Sequence, residues 1–83
     1  MSNTIKKRVY LTFPAEAIRE PLVCMMYDEL HVQFNLRTAS ITEEIGIIGL
    51  ELEGPADKVA LAIAFFRKHG VRVEPIELDV VAG

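Results

Sequence analysis

The chain has no tryptophan, one cysteine and no apolar run of membrane-spanning length. Each shortage narrows the function. A lone Cys24 forms no internal disulfide and no Cys-x-x-Cys metal or redox site. The most apolar stretch, "IGIIGLEL" (45–52), meets Glu53 and Gly54 after eight residues, where a spanning helix needs about 20. The opening "MSNTIKKRVY" lacks the apolar core of a signal peptide. The expectation is a soluble protein in a reducing, cytoplasmic setting, with no membrane insertion.

Positive charge is also short. Nine Lys and Arg against twelve Asp and Glu give a net charge of −3, and the basic residues are scattered. Nucleic-acid binding normally concentrates them in one footprint, so no nucleic-acid partner is expected. The triplet Lys6-Lys7-Arg8 precedes a strand, where such charges commonly keep an edge soluble. A Gly-rich phosphate loop, a nucleophile elbow and a Ser-His-Asp set are all missing. His31 and His69 fall at helix ends, too isolated for a metal site. Cys24, Met25 and Met26 admit soft-metal chemistry or simple core filling by a helix, and no cofactor is expected. Glu51 and Glu53 share a strand face, with Glu43 and Glu44 in a nearby turn. Acid–base work needs an enclosed, perturbed group, and none is evident beside them, so an enzyme is not expected.

What is present is regular. The 83 residues, half of them apolar, suit one domain over 1–83. At that size burial is limited, and association with a second copy is a common source of stability. "KKRVYLTF" (6–13) alternates Val9, Leu11 and Phe13 with Arg8, Tyr10 and Thr12, a strand of period two. "PAEAIRE" (14–20) reads as a turn with a helical twist. A helix from about Glu20, with Pro21 in its first turn, aligns Leu22, Met26 and Leu30, broadened by Val23 and Met25. "VQFNLRTAS" (32–40) is a second strand, "ITEE" a hairpin turn and "IGIIGLELE" (45–53) a third strand. Gly54 near the cap and Pro55 in the first turn open a second helix, with Val59, Ala62, Ile63 and Phe66 inward. Gly70 stops it after Arg67, Lys68 and His69. "VRVEPIEL" (71–78) is a fourth strand, and Pro75 marks an edge or an ending.

The order β-α-β-β-α-β predicts an α+β ferredoxin-like sandwich: a four-stranded antiparallel sheet with two helices on one face. Alternation then assigns the faces. Val9, Leu11, Phe13, Phe34, Leu36, Ile48, Leu50, Leu52, Val71 and Val73 point toward the helices. The open face receives Arg8, Tyr10, Thr12, Gln33, Asn35, Arg37, Ala39, Ile45, Ile47, Gly49, Glu51, Arg72 and Glu74. That mixture suits either solvent or a second subunit, with Tyr10, Ile45, Ile47 and Gly49 as interface candidates. Gln33, Asn35, Arg37 and Ala39 form the ligand-site candidate: an amide acceptor for an ammonium group beside a guanidinium fork for a carboxylate.

The stretch from Phe34 to Glu77 also resembles the NIL domain family. Asn35, the hydrophobic strand, "ELEG" (51–54), the helix and "HGVRVE" (69–74) follow the family order, and "REPLV" (19–23) resembles the start of its first helix. The likeness runs from about Lys7 to Glu77. The motif that names the family, Asn-Ile-Leu, stands here as Asn35-Leu36-Arg37; the asparagine is kept, and Arg37 replaces an apolar residue. The resemblance implies a ferredoxin-like fold and a regulatory role. The best-known members close the ATPase subunit of methionine ABC importers, where two copies pair through their sheets and bind methionine, which inhibits transport. Others are fused to iron–sulfur ferredoxin modules or stand alone. Carried across, the resemblance makes Asn35 a ligand residue and the chain a stand-alone regulatory module. The expectation is a homodimer or higher oligomer that senses methionine or a related amino acid or sulfur metabolite. The alternative is a protein–protein interaction or adaptor module with a protein partner and no small ligand.

Overall fold

The computed structural model describes residues 4–76. Its elements run β1 (Thr4–Pro14), α1 (Ala15–Ile18), α2 (Leu22–Leu30), β2 (Gln33–Ile41), β3 (Ile45–Pro55), α3 (Ala56–Lys68) and β4 (Arg72–Pro75). The strands pair antiparallel in the order β2-β3-β1-β4. This is the α+β ferredoxin-like sandwich that the element order predicts, with the twist after β1 tightened into the short α1.

Alternation builds the core. Val9 and Leu11 of β1, Leu50 and Leu52 of β3, and Val71 and Val73 around β4 are buried on the helix side. Leu22 and Met26 of α2 and Val59, Ala62, Phe65 and Phe66 of α3 close over them. The Phe13 and Phe66 rings meet edge-on with centroids 6.5 Å apart, joining β1 to α3. Each large side chain fully buried this way contributes about 1.5–3 kcal/mol relative to exposure. Met25, expected to broaden the buried stripe of α2, is 38% exposed; it lies one residue, about 100°, around the helix from Met26.

Both prolines at helix starts sit one position earlier than expected. Pro21 is the N-cap residue of α2, and Pro55 ends β3 as the N-cap of α3. Neither needs its missing N–H there. Gly70 follows α3 in the left-handed region at φ 84°, as the sequence predicts. His31 takes the equivalent place after α2 at φ 56°, its ring against Tyr27 with centroids 5.3 Å apart. The fourth strand ends at Pro75; the expected continuation through Glu77 and Leu78 lies outside the described residues.

Two findings depart from simple alternation, both in β2. All nine of its residues are exposed, including Phe34 at 39% and Leu36 at 54%. Both were expected in the core. α3 packs on β1, β3 and β4, and α2 packs on α3. The β2 margin, at the sheet edge, meets α2 through Tyr27, whose ring stands edge-on to Phe34 with centroids 6.2 Å apart. The second departure is a bulge. Leu36 pairs with Leu50, but Thr38 pairs with Gly49, so Arg37 is an extra residue in the strand. From there the faces exchange: Ala39 pairs with Ile48 and Ile41 with Gly46, on the helix side, while Thr38 and Ser40 join the open face. The expectation that Ala39 shares a face with Asn35 is therefore corrected.

Candidate functional site

The open face is laid out by register. Its first row is Gln33, Glu53 and Lys6; its second is Asn35, Glu51 and Arg8. The third brings Thr38, Gly49, Tyr10 and Glu74 together, with Arg37 beside Thr38 at the bulge. The fourth holds Ser40, Ile47, Thr12 and Arg72, and Ile45 follows opposite Pro14. One end of the face is thus polar and charged, and the other sets Ile45 and Ile47 among Thr12, Ser40 and Arg72. Tyr10, Ile45 and Ile47 are each exposed by more than two fifths.

At the centre lies an ion pair. Arg8 Nε donates to Glu51 Oε2 at 3.2 Å, and the Glu51 side chain is only 16% exposed. The pair divides two hollows. One, about 320 Å³, is lined by Gln33, Asn35, Glu51 and Glu53, with Lys6 and Phe34 at its margin. The other, about 250 Å³, is lined by Arg8, Tyr10, Arg37, Thr38, Gly49 and Ile76. The first is acceptor-rich, and the second carries two guanidinium groups and two hydroxyls. Asn35 stands between them in the register.

Gly49 is buried beneath the second hollow. A Cβ there would come within 2.6 Å of Thr38 Oγ1 and 3.3 Å of the Tyr10 ring, so the missing side chain lets both lie over the strand. The hairpin that fixes the register closes on Thr42. Its hydroxyl accepts from the backbone N–H groups of Glu44 and Ile45, each at 3.2 Å, and donates to the Ile45 carbonyl at 3.1 Å.

The structure therefore brings Gln33, Asn35, Arg37, Tyr10, Ile45, Ile47 and Gly49 onto one face, and it removes Ala39 to the other. Thr38, which strict alternation passes over, and Ile76, which continues the parity of Arg72 and Glu74, are additions to the expected set. Thr38 arrives through the bulge. Ile76 arrives because its N–H donates to the Arg8 carbonyl at 2.9 Å and extends the β4 ladder beyond Pro75. A separate apolar hollow of about 140 Å³ lies on the helix side among Phe13, Ile18, Leu22, Ile41 and Ile48. Among the described residues no group of three His, Cys, Asp or Glu side chains is placed to hold a metal ion. No helix among them is long and apolar enough to cross a membrane.

Comparison with known proteins agrees with this geometry. No curated protein sequence matches the chain. A solved structure, the C-terminal domain of an ABC transporter ATP-binding protein from Enterococcus faecalis, is similar. Its TM-score is 0.77 at 25% identity, over 88% of this chain and 86% of that one. The family model of the NIL domain matches residues 7–75, which take in β1 from Lys7 onward and every later element through β4. On that match the chain belongs to the NIL domain family.

Proposed function

We propose that this chain is a cytoplasmic regulatory module that pairs with itself through its sheet. Its open face holds a free amino acid, methionine or a related sulfur metabolite. The observation that carries this reading is the pair of oppositely lined hollows beside Asn35. A zwitterion fits across them in one sense. The ammonium group turns to the Asn35 carbonyl oxygen and the Glu51 carboxylate, and the carboxylate turns to Arg37 and the Thr38 hydroxyl. The ligand's side chain then runs toward the exposed Tyr10 and Ile47, the apolar contacts of that end. Family membership supports a regulatory role, as does likeness to a domain of a transporter ATP-binding protein. Regulation would follow from differential affinity: a ligand that binds the paired state better shifts the chain toward it.

Calorimetry with methionine and a panel of amino acids tests this. The expected result is saturable heat for at least one of them. Arg37→Ala should weaken it by about 10- to 100-fold, the value of a charge-assisted hydrogen bond. Absence of heat and of any thermal shift across the whole panel would end the proposal. The exposed Tyr10, Ile45 and Ile47 favour a second reading, an adaptor that docks a protein on them. It predicts that Ile47→Lys abolishes capture of a defined protein partner while no amino acid has any effect.

A further inference from the structure

The apolar hollow of about 140 Å³ lies on the helix side of the sheet, away from the open face. Its floor is the sheet end where Gly46 pairs with both Phe13 and Ile41. Its walls are Ile18 of α1, the turn at Glu20 and the first turn of α2. Two features of the chain make the space. The bulge at Arg37 turns Ile41 to the helix side, where it stands 57% exposed. Gly46 is buried and adds no side chain. A Cβ built on it meets Ile18 and Ile41 at 3.5 Å, which is ordinary contact, so a larger residue would fit the backbone and narrow the hollow.

The rim is fixed and acidic. The Glu20 N–H donates to the Ala17 carbonyl at 3.1 Å, and the Glu20 carbonyl accepts from the Leu22 N–H at 2.7 Å, so the turn between α1 and α2 is pinned on both sides. The hairpin that joins Ile41 to Gly46 is pinned by the Thr42 hydroxyl. Every residue that lines the hollow comes from 13–24 or 41–48. Those two segments hold Glu16, Glu20, Glu43 and Glu44 against a single cation, Arg19. All four carboxylates belong to exposed residues, and none is ion-paired among the described residues.

We propose that this hollow docks a partner protein by taking one apolar side chain, of leucine or phenylalanine size, from a segment with basic residues on either side of it. Size sets the anchor: an apolar cavity of about 150 Å³ accepts a benzene ring. Charge sets the flanks. Acids on both the turn and the hairpin attract cations at more than one point, which a chain segment supplies and a single small amine does not. An anchor seated in a pocket is where a small interface gains most of its affinity. The pinned turn and hairpin help, because little freedom is left to lose on binding. The hollow shares no lining residue with the two hollows of the open face, so this inference stands or falls apart from the amino-acid reading.

Amide NMR of the whole chain, titrated with the capped peptide Lys-Lys-Phe-Lys-Lys, tests the proposal. The expected result is saturable shifts at Ile18, Val23, Ile41, Gly46 and Ile48, with an affinity in the millimolar range or tighter. Replacing the peptide's phenylalanine by serine, or its lysines by glutamate, should weaken binding by at least about tenfold, and added salt should weaken it further. Gly46→Val should have a similar effect by narrowing the hollow, in a chain whose spectrum remains that of a folded protein. If that variant fails to fold, Glu43→Lys combined with Glu44→Lys decides, because both residues are exposed. Unchanged affinity in the double variant would overturn the proposal. Shifts confined to Tyr10, Ile45 and Ile47 would overturn it by putting the docking on the open face. Equal binding of the serine peptide would reduce the effect to diffuse charge. Benzylamine binding as tightly as the peptide would make the occupant a small amine, and the same shifts on concentrating the chain alone would make it a second copy; either outcome removes the partner segment. No shift at millimolar peptide ends the proposal.

Discussion

At the scale of single residues, the Arg8–Glu51 pair is the open-face contact on which folding and recognition most directly meet. Glu51 is the less exposed partner, so removing Arg8 leaves a largely covered carboxylate without its guanidinium. Arg8→Ala should cost about 1 kcal/mol in urea unfolding, a modest figure because Arg8 itself is partly in water. Asn35 is exposed, its side chain makes no hydrogen bond among the described residues, and it should behave differently. Asn35→Ala should leave stability within about 0.5 kcal/mol of the parent, so a change in ligand heat at that position reads as binding rather than folding. Gly49 belongs with these residues: its missing side chain sets how closely Thr38 and Tyr10 lie over the strand.

At the scale of elements, the left-handed stop after α3 gives the cleanest stability test. Gly70 has φ 84° and nothing within 4 Å of a built Cβ, so an added methyl group meets backbone strain alone. Gly70→Ala should lower the unfolding free energy by about 1–2 kcal/mol with an unchanged denaturant slope. This element was legible from residues: a charged last turn followed by glycine names its own end. The central strands were legible for the same reason, because Val9, Leu11, Leu50 and Leu52 repeat every second residue and have helices above them. β2 was legible only in part. Gln33 and Asn35 fell on the expected face, but strict alternation carried that face on to Ala39. The signal for the bulge is in the sequence: the apolar residues are even-numbered at Phe34 and Leu36 and odd-numbered at Ala39 and Ile41. A change of phase inside a strand requires an extra residue, and Arg37 is where it falls. The exposure of Phe34 and Leu36 was not legible, because periodicity gives the face of a strand and not its distance from the covering helices.

At the scale of the whole molecule, the described core draws on helices of nine and thirteen residues, with Ala17 of the short α1, over a sheet whose β2 margin they leave uncovered. If two copies pair through the sheet, as proposed, stability becomes a property of concentration. The midpoint of thermal unfolding should rise as protein concentration is raised. A midpoint that stays flat from micromolar to hundreds of micromolar would count against association. The bare β2 has another implication. A nine-residue strand with one charge and no proline is a template for growth as well as for pairing. A charge placed on that margin would oppose recruitment of further chains. Leu36→Lys should therefore stay clear on storage at concentrations where the parent chain forms cross-β fibrils.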